Sequence, residues 1–126
     1  MSLFYELTGE FAQSDFIITD LVEAGGWTIG RTKAFKRGLK KYGNDQRVMT
    51  ALKQIETFVT SHNQMPMTNS FPAELYVHRI RADDRFPKDT LWAHLKGQKI
   101  GLIFSMQKNM QLNLIALGTH QDMGWR

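Results

Sequence analysis

The chain has 126 residues, 42% of them apolar, which fits one domain with a single core. It has no cysteine, which removes disulfides and thiolate chemistry, and no apolar run near the roughly 20 residues of a membrane span. The net charge of +4 hides an asymmetry. Residues 1–30 carry Glu6, Glu10, Asp15, Asp20 and Glu23 and no Lys or Arg, while the rest hold all 16 basic residues and seven acidic ones, net +9. A basic body of that size suggests a polyanionic partner, nucleic acid first, against the plainer reading of a soluble basic surface.

The start, "MSLFYELTGEF", lacks the basic and apolar regions of a signal peptide, so a cytoplasmic protein without membrane association is expected. Residues 1–26 read as an acidic extension and 27–126 as the main domain. Within the extension, Ser14 is placed to cap a short helix over "DFIITDLVEA" that Gly25 would end; a strand over 16–19 is the alternative. "WTIGRT" (27–32) reads as a strand with Trp27, Ile29 and Arg31 on one face. "KAFKRGLKKYG" reads as a helix capped by Thr32, with Phe35, Leu39 and Tyr42 on its apolar stripe and Lys33, Lys36, Arg37, Lys40 and Lys41 around it. A second helix, capped by Asn44 or Asp45, runs to about Ser61 with Val48, Leu52, Ile55 and Val59 in line. The short turn between the two predicts an antiparallel hairpin.

A Pro-containing loop, "HNQMPMTNSFPAEL", follows without a period. The last third alternates as strands. "TLWAHLKG" puts Leu91, Ala93 and Leu95 on one face and Trp92, His94 and Lys96 on the other. "KIGLIFSM" follows a turn at 96–98, and "MQLNLIALGTH" follows a turn at 107–109. The last is apolar on both faces, as a central strand would be. The order β-α-α-β-β-β predicts an α+β fold, a small twisted and mostly antiparallel sheet packed by a helix hairpin.

The four histidines, at 62, 78, 94 and 120, form no His-x-x-x-His pair, and there is no thiol, so no metal signature is present and no cofactor is implied. Neither a G-x-x-x-x-G-K loop nor a G-x-S-x-G elbow occurs. What remains is imidazole with cations. His78 sits in "LYVHRIR", His94 on the polar side of its strand, and His120 after the last strand. Strand ends far apart in sequence meet in an antiparallel sheet, so these three are candidates for one site. Such a set suits metal-free RNA cleavage, in which imidazole takes a proton from the 2′-OH and gives one to the leaving 5′-oxygen. Arg79, Arg81, Lys96, Lys36 and Lys40 are candidate RNA contacts, and Trp92, Tyr76 and Trp125 candidate base-stacking rings. Each has a plainer reading: strand-end or loop hydrogen bonds for the histidines, a solvated helix face for the lysines. His62, beside Asn63 in a polar loop, reads as solvent-exposed.

"VHRI" (77–80), "WAHLKGQKIGLIFS" (92–105) and "LIALGTH" (114–120), behind a basic first helix, resemble the RelE/ParE superfamily of bacterial toxins. Within it they resemble the YafQ-type branch of ribosome-dependent mRNA interferases. The resemblance covers about residues 27–126. It implies that His78, His94 and His120 are active-site histidines, with Trp125 near the family's terminal aromatic. It implies mRNA, the ribosome and a cognate antitoxin protein as partners. Where that branch carries an Asp-Trp pair, this chain has Gln98-Lys99. Lys99 is then a candidate for catalytic charge, and Asp83, Asp84 or Asp89 for the absent carboxylate. Two other readings stay open: a non-catalytic protein-binding module like the superfamily's gyrase inhibitors, and an RNA-binding toxin relic. On the resemblance, the acidic extension is expected either to modulate the basic body or to be a structural addition.

Overall fold

The computed structural model describes residues 13–80, 83–97 and 99–125. After a 3-10 turn at Gln13–Phe16, strand β1 (Ile18–Ala24) pairs antiparallel with β2 (Trp27–Thr32). The helix expected over "DFIITDLVEA" is therefore a strand. The reason lies in the link: Ala24 faces Trp27 across a two-residue loop, and Gly25 and Gly26 both take positive φ, +58° and +87°. That loop is the tight hairpin turn that only glycine-like residues enter cheaply, and β-branched Ile17, Ile18, Thr19 and Val22 favour the extended chain before it.

Helices α1 (Lys33–Tyr42) and α2 (Gln46–Thr60) follow, where the periodicity places them. The Thr32 hydroxyl accepts from the Phe35 amide, 3.0 Å, and the Asp45 carboxylate accepts from the Arg47 and Val48 amides. Both caps satisfy first-turn amides that have no partner within the helix. A long connection with two further 3-10 turns leads to a two-residue strand, β3 (His78–Arg79). Strands β4 (Leu91–Lys96), β5 (Ile100–Gln107) and β6 (Gln111–Gly118) complete one six-stranded sheet in the order β1-β2-β6-β5-β4-β3. Only the β2–β6 pair is parallel. The apolar last strand is central, as its two apolar faces predict.

The helices cover one face, burying Phe35, Val48, Leu52, Ile55 and Val59 against Ile29, Leu91, Leu102, Phe104, Leu112 and Leu114. Alternation sends Trp92 and Ile103 to the other face, where they pack with Ala116, Phe86 and Met123. A β-bulge interrupts the β5–β6 ladder between Ile103 and Phe104, leaving Ile115 without a partner across it. The Ile115 carbonyl is taken instead by the Thr32 hydroxyl, so one side chain caps α1 and repairs the sheet. Gly38 lets α1 lie directly on β6, since a Cβ there would collide with the Leu117 carbonyl.

The hairpin turn is testable. Nothing lies within 4 Å of a Cβ built on Gly26, so Gly26→Ala introduces backbone strain alone. It is expected to lower stability by about 1–2 kcal/mol, read by chemical denaturation.

Candidate active site

The site grows from one register. His78 of β3 stands opposite Trp92 of β4, and His94 lies two residues further on the same face. His94 faces Gly101 of β5, and Gly101 faces Gly118 at the end of β6. His120, two residues past Gly118, therefore returns to the same corner. The Trp92 indole, 1% exposed, lies across Gly101, where a Cβ would collide with its ring. Three rings cover it: His120 at 5.1 Å between centroids, Trp125 at 5.3 Å and His94 at 6.1 Å. His78 stands 5.6 Å from His94. Tyr76, 68% exposed and held in the left-handed region at φ +45°, completes the rim, its ring 5.3 Å from His94 and 5.6 Å from His78.

The imidazoles differ. His94 is half-buried, and neither ring nitrogen has a hydrogen-bond partner within the described residues. Burial lowers its pKa below the ordinary 6.5, and the neighbouring His78 and His120 lower it further. The Gly97 backbone pulls weakly the other way without meeting hydrogen-bond geometry. His78 is exposed and donates its Nδ1 proton to the Arg79 carbonyl, 2.9 Å, which presents Nε2 outward. His120 is exposed, its ring 5.5 Å from Trp125. His62 belongs elsewhere. It is half-buried, donates to the Phe58 carbonyl at the end of α2, and its own carbonyl accepts from the Trp27 indole.

No ion pair joins a histidine to a carboxylate among the described residues. Asp83 is a clamp. Its oxygens accept from the Arg85 backbone amide, Nε and Nη2 and from the Trp125 indole N–H at 2.8–3.0 Å. Burial pushes its pKa up, but the Arg85 and Trp125 hydrogen bonds outweigh this and hold it at about 2. Arg85 also donates to the Met123 carbonyl, so the loop before β4 grips the C-terminal turn. Among the described residues, no group of three or more His, Asp or Glu is arranged to hold a metal ion, and no helix is long and apolar enough to cross a membrane.

No family model matches the chain, and no curated protein matches it by sequence. Solved structures do. The E. coli DinJ–YafQ complex matches at TM-score 0.56 and 22% identity, over 74% of this chain and 92% of that one. A second structure, of the E. coli DinJ–YafQ toxin–antitoxin complex, gives 0.58 and 21%, over 76% and 94%. A YafQ mutant from E. coli with histidine changed to glutamine gives 0.55 and 20%, over 74% and 92%. The fold is that of YafQ.

On this YafQ-like scaffold several sequence candidates stand away from the histidines. Trp92 is too buried to stack on a base and serves as the floor. Arg79 faces Leu91 rather than Trp92 and so points to the helix side, into a cleft of about 490 Å³ shared with Met65, Met67, Asp89 and Met106. Asp89 is on that side as well. Lys36 is paired with Asp20 of β1. Lys40, in the last turn of α1, and Lys99, in the β4–β5 turn, are exposed. Trp125 is half-buried with its N–H committed to Asp83, so it braces His120. Arg81, Gln98 and the Lys96 side chain lie outside the described residues. Two features escaped sequence reasoning. Gly101 as the seat of an indole carries a faint signal, a glycine in an apolar strand. The Asp83–Arg85–Trp125 clamp carries none.

Two outcomes check the site. A histidine with a lowered folded pKa takes up a proton less readily than the unfolded chain, so His94 costs stability as pH falls below 6.5. Thermal unfolding from about pH 7 to pH 5 is expected to show a smaller acid loss in His94→Gln than in wild type. Asp83→Ala, which orphans the Trp125 N–H and the Arg85 guanidinium, is expected to cost about 1–3 kcal/mol and to speed hydrogen exchange at the Trp125 indole.

Proposed function

We propose that the protein is the toxin of a toxin–antitoxin pair, a metal-free endoribonuclease that cleaves mRNA on the ribosome in the cytoplasm. The observation that carries this reading is two imidazoles against one buried indole, with a third 5.6 Å from the first of them, on a YafQ fold. YafQ was crystallised with DinJ, which supports a cognate antitoxin here.

The roles follow from the environments. His94, whose charged form burial and its two neighbours disfavour, is the base that takes the 2′-OH proton once RNA displaces the Tyr76 ring and opens the enclosed ring nitrogens. The 2′-oxygen attacks phosphorus, the P–O5′ bond breaks, and the 5′-oxygen takes a proton from exposed His78 or His120. The products are a 2′,3′-cyclic phosphate and a 5′-hydroxyl. Lys99, at the same end of the sheet, meets the charge that builds on the phosphate. Tyr76 offers the exposed ring for a splayed base, and Lys40 with Lys33 extends the basic surface along α1.

A translation assay with a reporter mRNA tests this, comparing wild type with His94→Ala and His120→Ala. Each variant is expected to lose roughly 10²- to 10⁴-fold in cleavage rate. No cleavage by wild type, or equal cleavage by all three, rejects the enzyme. The lack of a carboxylate partner for any described histidine favours one second reading, an RNA-binding module without cleavage. Its signature is retained RNA affinity with no cut product in any of the three proteins.

A further inference from the structure

The turn that carries His120 is built as a small bracket, and its keystone takes no part in the chemistry above. The Thr119 amide donates to Asp122 Oδ2, 2.9 Å, and the Asp122 amide donates back to the Thr119 hydroxyl, 3.0 Å. His120 lies between these reciprocal bonds. Its own carbonyl accepts from the Met123 amide, 3.1 Å, and the Trp125 amide, 2.8 Å. Met123 is fully buried beneath the turn. Gly118 leaves space for the carboxylate, since a Cβ there would lie 2.8 Å from Asp122 Oδ2.

The same carboxylate reaches α1. It accepts from Lys41 Nζ at 3.1 Å and from the Tyr42 hydroxyl. Helix α1 is itself fixed on β6 through Gly38 and the Leu117 backbone. The bracket thus ties the last turn to a rigid body through charge-assisted hydrogen bonds, which are the strong kind. Both Asp122 oxygens are engaged, and no histidine nitrogen pairs with either. The carboxylate therefore acts on the backbone that carries the imidazole.

We propose that Asp122, supported by Tyr42 and Lys41, is the positioning residue that sets the His120 imidazole against Trp92 and Trp125. The prediction for cleavage rests on the endoribonuclease reading; the positioning itself does not. A displacement of about 1 Å at a reacting group costs up to roughly 10²-fold in rate.

The test uses the full chain and two readouts. The first is NMR of the His120 ring protons in the free protein, assigned with His120→Gln, since the Trp92 and Trp125 rings at 5.1 and 5.5 Å shift them strongly. Asp122→Ala is expected to move these resonances toward random-coil positions. Asp122→Asn, which keeps an oxygen for the Thr119 amide, is expected to hold them near wild type. The second readout is cleavage of programmed ribosomes, where Asp122→Ala is expected to lower kcat about 10- to 100-fold with KM little changed. A folded Asp122→Ala with wild-type His120 resonances overturns the proposal. Should that variant not fold, the double variant Tyr42→Phe with Lys41→Met decides, and unchanged resonances there overturn it equally. If wild type cleaves nothing, the functional reading falls while the NMR still judges the positioning.

Discussion

The contact on which this molecule's candidate site depends is an indole laid on a bare backbone. Trp92 has no room on the outer face of the sheet unless its β5 neighbour lacks a side chain, and that neighbour is Gly101. Once seated, the ring gives His94, His120 and Trp125 a common wall, though they come from β4 and from beyond β6. The wall is apolar, and His94, which packs edge-on against it, is half-buried, which lowers that imidazole's pKa. One packing choice therefore sets the geometry of the site and adds to the burial that lowers the His94 pKa.

The charge asymmetry of the chain is resolved locally. Asp20 lies between Arg31 and Lys36, and Asp15 meets Arg37, so the acidic segment before β2 engages cations of β2 and α1. The Asp20 pairs are partly exposed and contribute little to stability singly, whereas Asp15 is buried. Their effect is on where positive charge remains open to a partner. Lys40 and Lys99 stay exposed, one in the last turn of α1 and one in the turn between β4 and β5. The strand that carries Asp20 does a second thing, since without β1 the β2 edge would be unpaired.

The helix hairpin and the last three strands were legible because each has an amphipathic period: Val48, Leu52, Ile55 and Val59 on one helix stripe, Leu91, Ala93 and Leu95 on one strand face. The same alternation, pushed one step further, would have placed Arg79 correctly. His78 pairs with Trp92, so its neighbour must point away. A helix over 15–24 rests on Gly25 as a helix end, whereas the Gly25–Gly26 pair forms a hairpin turn that makes the segment a strand. Trp92 was misjudged because alternation separates two faces without saying which is wet. Both faces of this sheet are covered, one by helices and the other by a loop and the C-terminal turn. Asp83 and Asp122 were beyond reach for a different reason. Their partners, Trp125 at a separation of 42 residues and Tyr42 at 80, leave no local pattern.

Among the described residues no carboxylate pairs with the imidazole cluster. A carboxylate beside a histidine favours the protonated ring, whereas a second imidazole that takes up a proton disfavours it. His78 and His120 therefore disfavour a proton on His94, which burial already disfavours. The outer two are exposed to water, where protons exchange freely. Asp83 and Asp122 hold the loop before β4 and the C-terminal turn beside the cluster. A carboxylate at His94 would raise the proton affinity that burial and the neighbouring imidazoles lower.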